Sequence, residues 1–98
     1  MVACVSQEEA RKISDRLLAK RLIACASILP KMDSKFWWKG KLSSAAELLL
    51  TMKTARSNFK KIEAEIRRGH SYEVPEIIAV PIIAGSSDYL DWISRTIV

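Results

Sequence analysis

Ninety-eight residues, 49% hydrophobic and 28% charged, describe one soluble globular domain over residues 1–98 rather than a disordered, fibrous or repetitive chain. No apolar segment approaches the ~20 residues that cross a bilayer, so no membrane span is expected. The net charge of +5 does not mark a nucleic-acid partner, because Lys and Arg fall on both predicted helices, on one strand face and near the end, each mixed with Asp or Glu. Cys4 and Cys25 are too few for a disulfide framework and fit a reducing, cytoplasmic setting.

Val2 to Val5 reads as the end of an apolar strand. Ser6-Gln7-Glu8-Glu9 is a capping box, in which the Ser6 hydroxyl accepts from the Glu9 amide, and it opens a helix from about Gln7 to Lys20. Ala10, Ile13, Leu17 and Leu18 form its apolar stripe. From Ala24 the period changes to two, and the even positions of Ala24 to Trp38 and of Leu42 to Met52 are the drier ones. A three-residue turn at Lys39-Gly40-Lys41 would keep even opposite even, pairing Trp38 with Leu42, Met32 with Leu48 and Ile28 with Met52. Pro30 has no N–H for a ladder, which predicts a bulge or an edge there.

That hairpin is long for its domain. At ~3.3 Å per residue, Ala24 to Trp38 would extend roughly 45 Å, against a radius of gyration of ~13 Å for a chain of this size. Its tip cannot be covered by its own chain, so Met32, Phe36 and Trp37, with Trp38, are expected to form a subunit contact, the alternative being a strand broken at Pro30 that folds back over its own core. A second helix from about Ala55 or Ser57 to Arg68 turns Phe59, Ile62 and Ile66 inward, and Gly69 stops it.

The stretch His70-Ser71-Tyr72-Glu73-Val74-Pro75 follows, then Glu76 to Ile83, a β-branched run typical of a buried strand. Pro81 points instead to an edge, which an apolar strand occupies safely only under a partner subunit. Gly85-Ser86-Ser87 is a turn, and Asp88 to Ile97 is a closing helix that uses Leu90, Trp92 or Ile93, and Ile97. The order β-α-β-β-α-β with an appended helix predicts an α+β, ferredoxin-like sandwich with a long hairpin between its second and third strands.

Several functions use that architecture, so the residues must choose among them. The third strand, Glu47 to Lys53, carries no stacking aromatics, which argues against RNA recognition. Cys4 has no second thiol nearby in sequence, which argues against a two-thiolate metal carrier. Neither a glycine-rich phosphate loop nor a nucleophile with a His partner is present, so an enzyme is not expected. His70, Glu73 and Glu76 cluster at one helix-to-strand junction, and Cys4 approaches them if the first strand neighbours the fourth. An N, O and S donor set of that kind suits copper or zinc better than magnesium or calcium. The residues equally allow His70 to be a helix-end cap with the two carboxylates on amides or lysines.

Taken together, Arg21-Leu22-Ile23-Ala24-Cys25, Ile28-Leu29-Pro30, Phe36-Trp37-Trp38-Lys39-Gly40-Lys41, Lys53-Thr54, His70-Ser71-Tyr72-Glu73-Val74-Pro75-Glu76-Ile77 and Asp88-Tyr89-Leu90-Asp91-Trp92 resemble the CutA divalent-cation tolerance family. The resemblance implies a homotrimer with strands joined between subunits, and binding of copper or another divalent metal in an inter-subunit cleft like those of the PII signalling proteins. It carries over His70, Glu76 and Cys4 as metal ligands, with Tyr72, Glu73 and Trp38 lining the cleft. Two positions depart from the family pattern. The first strand reads Ala3-Cys4-Val5 where the family often has Thr-Cys-Pro, and Ser71 replaces the Pro that usually follows the site histidine.

Overall fold

The computed structural model describes residues 1–98, an α+β molecule with principal extents of 45 × 27 × 21 Å. Three antiparallel strands form the sheet: β1 (Val2–Cys4), β2 (Cys25–Trp38) and β3 (Lys41–Lys53), in the order β1-β3-β2. Helix α1 (Gln7–Ala19) follows β1, a short 3-10 turn at Arg56–Asn58 leads into α2 (Phe59–Gly69), and α3 (Ser87–Thr96) closes the chain. No helix is long and apolar enough to cross a membrane.

Helix α1 begins as its sequence dictates. Ser6 is extended at φ −147°, and its hydroxyl accepts the Glu9 amide at 3.2 Å. The helix ends in a Schellman arrangement, with the Leu22 amide on the Leu17 carbonyl and the Arg21 amide on the Leu18 carbonyl, both at 3.0 Å. Arg21 takes the left-handed position, φ 54°, which a glycine usually fills. Ala10, Ile13 and Leu17 are buried, whereas Leu18, expected on the same stripe, lies partly in solvent.

These residues join Val2, Cys4, Leu22, Ile23, Leu50, Ile62 and Ile66 in one apolar core, between the base of the sheet and helices α1 and α2. Asn58 is buried beside it, and its amide donates to the Leu22 and Val98 carbonyls. In α3 only Ile93 is buried, so Trp92 is not the anchoring aromatic.

The hairpin departs from the expected register. Its turn has two residues, Lys39 and Gly40, at φ 51° and 77°, and it pairs Trp38 with Lys41 and Met32 with Glu47. Two successive left-handed residues are what a type I′ turn requires, and that turn matches the natural twist of the strands. The shift that brings even opposite even is made at Pro30 and Lys31, where a bulge sets two residues of β2 against Leu48 alone. Inward of the bulge, Ile28 pairs with Leu50 and Ala26 with Met52. The bulge at Pro30 is therefore where it was expected, but the three-residue turn is not formed.

The expected fourth strand is also reduced. Ile77 makes one antiparallel bridge to Val2, and Ile78 exchanges hydrogen bonds with Met1 at 2.6 and 3.1 Å. Beyond it, residues 79–84 run without a ladder, and Ile83 is 94% exposed. Pro81 removes one donor, and no strand of the same chain lies alongside to take the others.

Candidate functional site

Three elements deliver polar groups to the end of β1. Cys4 closes the strand with its side chain fully buried against the core. Glu9 comes from the first turn of α1. His70 is the residue on which α2 stops, its backbone turning to an extended φ −90°, ψ 136° so that the chain folds back over the strand. One donor atom from each of Cys4, Glu9 and His70 lies within 4.8 Å of the others.

Hydrogen bonds fix each group. His70 Nε2 is 2.8 Å from the Ala3 carbonyl, and the Tyr72 amide donates to His70 Nδ1 at 3.0 Å. A carbonyl only accepts and an amide N–H only donates, so the proton resides on Nε2 and Nδ1 is bare. The Glu9 carboxylate accepts the Ser71 amide at 2.6 Å and the Val5 amide at 3.4 Å. Burial opposes its charge, but the hydrogen bonds from Ser71 and Val5, with His70 nearby, hold its pKa below the ordinary carboxylate value. A shallow polar depression lined by Ser6, Glu8, Lys12, Arg16 and Ser71 opens beside it.

The thiol and the phenol are held in their protonated forms. Burial, with the charges of Glu9 and Glu47, pushes Cys4 up to about 11. Burial, together with the hydrogen bond to Glu47, pushes Tyr72 up to about 12. The Tyr72 hydroxyl donates to Glu47 at 2.7 Å, and its ring packs 4.9 Å from the imidazole at 53°. A thiol so disfavoured as thiolate is a poor nucleophile. Beside a divalent cation the balance reverses, because the ion's own charge favours thiolate.

The set therefore fits a metal better than a reaction. Thiol sulfur, imidazole nitrogen and carboxylate oxygen are the donors of borderline divalent ions such as zinc and copper. With metal–ligand bonds of ~2.0–2.3 Å, the three groups need to close by about an ångström, and His70 has to release either the Tyr72 amide from Nδ1 or the Ala3 carbonyl from Nε2 to free a lone pair.

Of the residues named from the sequence, Cys4, His70 and Tyr72 come together here. Glu73 is exposed, and Glu76 is exposed on the far side of Pro75, where its charge acts on the Met1 ammonium. Trp38 sits at the hairpin tip under the Lys39 ammonium, 5.7 Å from its ring centre, and takes no part in the cluster. Met32, Phe36 and Trp37 lie along the outer half of β2, with Trp37 73% exposed. Glu9 and Glu47 were not foreseen as site residues. The capping box accounted for Glu9 locally, and Glu47 could have been flagged as the one charge beside an unbroken leucine run.

Fold and site together define a small α+β protein that carries a thiol, carboxylate and imidazole set and no activated nucleophile. Residues 1–96 match the family model described as CutA1 divalent ion tolerance protein. The chain is 42% identical over 96 residues to the divalent-cation tolerance protein CutA of Archaeoglobus fulgidus, covering 98% of this chain and 93% of the relative. The Thermus thermophilus protein of the same name is 40% identical, over 95% of this chain and 90% of its own. Of the rice protein CutA 1, chloroplastic, 34% identical over 97% of this chain, the match spans 54%.

Among solved structures, the Thermus thermophilus divalent cation tolerance protein superposes with a TM-score of 0.95 at 38% identity, over 98% of this chain and 93% of that one. The periplasmic divalent cation tolerance protein CutA of Archaeoglobus fulgidus gives 0.93 at 42%, over 97% and 92%. The chain belongs to the CutA1 divalent ion tolerance family.

Proposed function

We propose that this chain is a homotrimeric divalent-cation binding protein, a single CutA-like domain that takes copper or another borderline divalent ion and catalyses no reaction of its own. The observation that carries the metal reading is the convergence of Cys4, Glu9 and His70 within 4.8 Å. Those residues would hold the ion, which would supply a positive charge beside the buried thiol and the Glu9 carboxylate. Glu76 is not part of that trio within one subunit.

Support for the trimer comes from unfinished surfaces. Strand β2 is an open edge of the sheet, the apolar segment after Ile78 has backbone groups free for a ladder, and Trp37 pairs across the hairpin with exposed Leu42. An unpaired apolar edge beside an exposed apolar ribbon is what self-association covers.

The metal reading is tested by anaerobic titration of Cu(II) and Zn(II) into wild type and His70→Ala. We expect micromolar or tighter binding that the substitution weakens by at least tenfold; unchanged affinity and stoichiometry would remove His70 from the site. A second reading, a PII-like trimer whose clefts take a protein or small molecule, is favoured by one observation: both ring nitrogens of His70 are already hydrogen-bonded. Thermal shifts with nucleotides or anions, and none with metals, would select it.

A further inference from the structure

Two consecutive backbone amides hold donor atoms of the Cys4, Glu9 and His70 cluster. The Ser71 N–H donates to Glu9 at 2.6 Å, and the Tyr72 N–H donates to His70 Nδ1 at 3.0 Å. A carboxylate has lone pairs to spare, so Glu9 can keep its amide and still take an ion. Nδ1 of a neutral imidazole has one lone pair, and the Tyr72 amide fills it.

Of the two ring nitrogens, Nδ1 is freed at the lower cost. Nε2 carries the proton that it donates to the Ala3 carbonyl at 2.8 Å. Ligation through Nε2 would move that proton to Nδ1, head-on to the Tyr72 N–H, so both contacts would be lost. Ligation through Nδ1 gives up the Tyr72 amide alone. It also leaves the Nε2–H on a backbone carbonyl, an arrangement in which metal-bound histidines are commonly held.

The Tyr72 side chain keeps that amide in place. Ser71, Glu73 and Val74 stand in solvent, whereas the Tyr72 ring is half-buried with its centroid 4.9 Å from that of the imidazole. Its hydroxyl donates to Glu47 at 2.7 Å, which ties the segment to the sheet. Glu47 is 7% exposed on β3 and takes part in none of the molecule's ion pairs, so the phenol is the group that satisfies its carboxylate.

We propose that the Tyr72–Glu47 hydrogen bond is a latch: it keeps the Tyr72 amide on His70 Nδ1 and so holds the metal site closed until an ion displaces that amide. The proposal rests on the reading of Cys4, Glu9 and His70 as that site. Affinity for the ion is then reduced to the extent that the closed form predominates, and whatever undoes the latch raises it. Loading in turn releases the Tyr72 amide, which makes this short segment the part of the surface that differs between free and loaded protein.

The experiment compares wild type, Tyr72→Phe and His70→Ala by titration with Zn(II) and by amide hydrogen exchange with and without Zn(II). Tyr72→Phe, which removes only the latching oxygen, is expected to bind Zn(II) about three- to tenfold more tightly than wild type. In metal-free protein its residue-72 amide is expected to exchange faster than in wild type. Saturating wild type with Zn(II) is expected to speed exchange of the Tyr72 amide by about tenfold or more, whereas a site that merely tightens around its ion would slow it.

Tyr72→Phe that binds Zn(II) no more tightly than wild type would overturn the proposal. So would a Tyr72 amide as protected in loaded protein as in free protein. Should Tyr72→Phe fail to fold, the exchange of the wild-type amide on loading decides alone. Wild type that binds no Zn(II) would sink the metal reading and the latch with it. Zn(II) binding that is lost in His70→Ala, with the Tyr72 amide still protected in loaded wild type, would remove the latch and leave the metal reading standing.

Discussion

The two halves of the β2–β3 hairpin share one ladder and lead different lives. Inward of the bulge, Ile28 lies against Leu50, β1 covers the far side of β3 from Leu48 to Leu50, and the face is sealed by α1 and α2. Outward of it, Trp37 faces Leu42 and both stand in solvent, although their side chains are as apolar as those inside. Hydrophobicity thus does not distinguish core from surface in this molecule; what differs is whether the chain itself provides a cover. One face of the inner half is covered by its own chain, and the outer half is left without such a cover.

Four experiments bear on that contrast. Leu50→Ala should strike hardest, costing about 2–5 kcal/mol, because it opens a cavity where the core is closed on all sides. Urea denaturation measures it, and a loss under ~1 kcal/mol would mean that the inner half is not self-sufficient.

The second concerns Cys4, which the same closed region protects. A group with a raised pKa contributes stability that is whole below its unfolded value of 9.0 and lost as pH rises towards about 11. Alkylation at pH 8, followed by mass spectrometry, should therefore modify half-buried Cys25 at least tenfold faster than Cys4. Equal rates would show that the end of β1 opens freely.

The third addresses the outer half. Trp37→Ser with Leu42→Ser should barely change the fold by circular dichroism, yet lower the sedimenting mass at micromolar concentration. A doubly substituted protein of unchanged mass would place the subunit contact elsewhere. The smallest effect is expected at the turn. Lys39 occupies a left-handed position that favours asparagine in a type I′ turn, so Lys39→Asn should raise the thermal midpoint slightly, by no more than about 1 kcal/mol in stability. A fall would argue that the turn is shaped by a neighbour rather than by its own residues.

What the amino-acid order disclosed depended on how local the cause was. The cap at Ser6 and the bulge at Pro30 each follow from one or two residues and are present, although Glu9 reaches back to the Val5 amide rather than to that of Ser6; Gly69 is the last helical residue, and the stop falls on His70. The parity of the strands was legible too, but not where it is corrected. One extra residue is needed to set even against even, and it could sit in the turn or at Pro30; the proline, already unable to donate, takes it. The strand expected over Glu76 to Ile83 has the composition of one, but only Ile77 forms a bridge, to Val2, and no other strand of the chain lies alongside to continue the ladder.

In the site, Cys4 and His70 stood out by residue type. Glu9 did not, because its nearby duty at the helix start concealed a carboxylate that also reaches Ser71, 62 positions along the chain. Glu47 escaped for a related reason: nothing close to it in sequence shows that a tyrosine 25 positions later will be its partner.

Strand β1 has only three residues, yet it meets β3 on one edge and Ile77 on the other. The helices and the hairpin can form from neighbours in sequence, within microseconds. Seating Val2 requires Leu50 and Ile77 to find it across most of the chain, and that search is among the longest loop closures in the molecule, alongside the Val98 amide on the Arg21 carbonyl. Cys4 and His70 come together only when β1 is seated on β3 and α2 has folded back over it, so the cluster belongs to the whole fold and to no local segment of the chain.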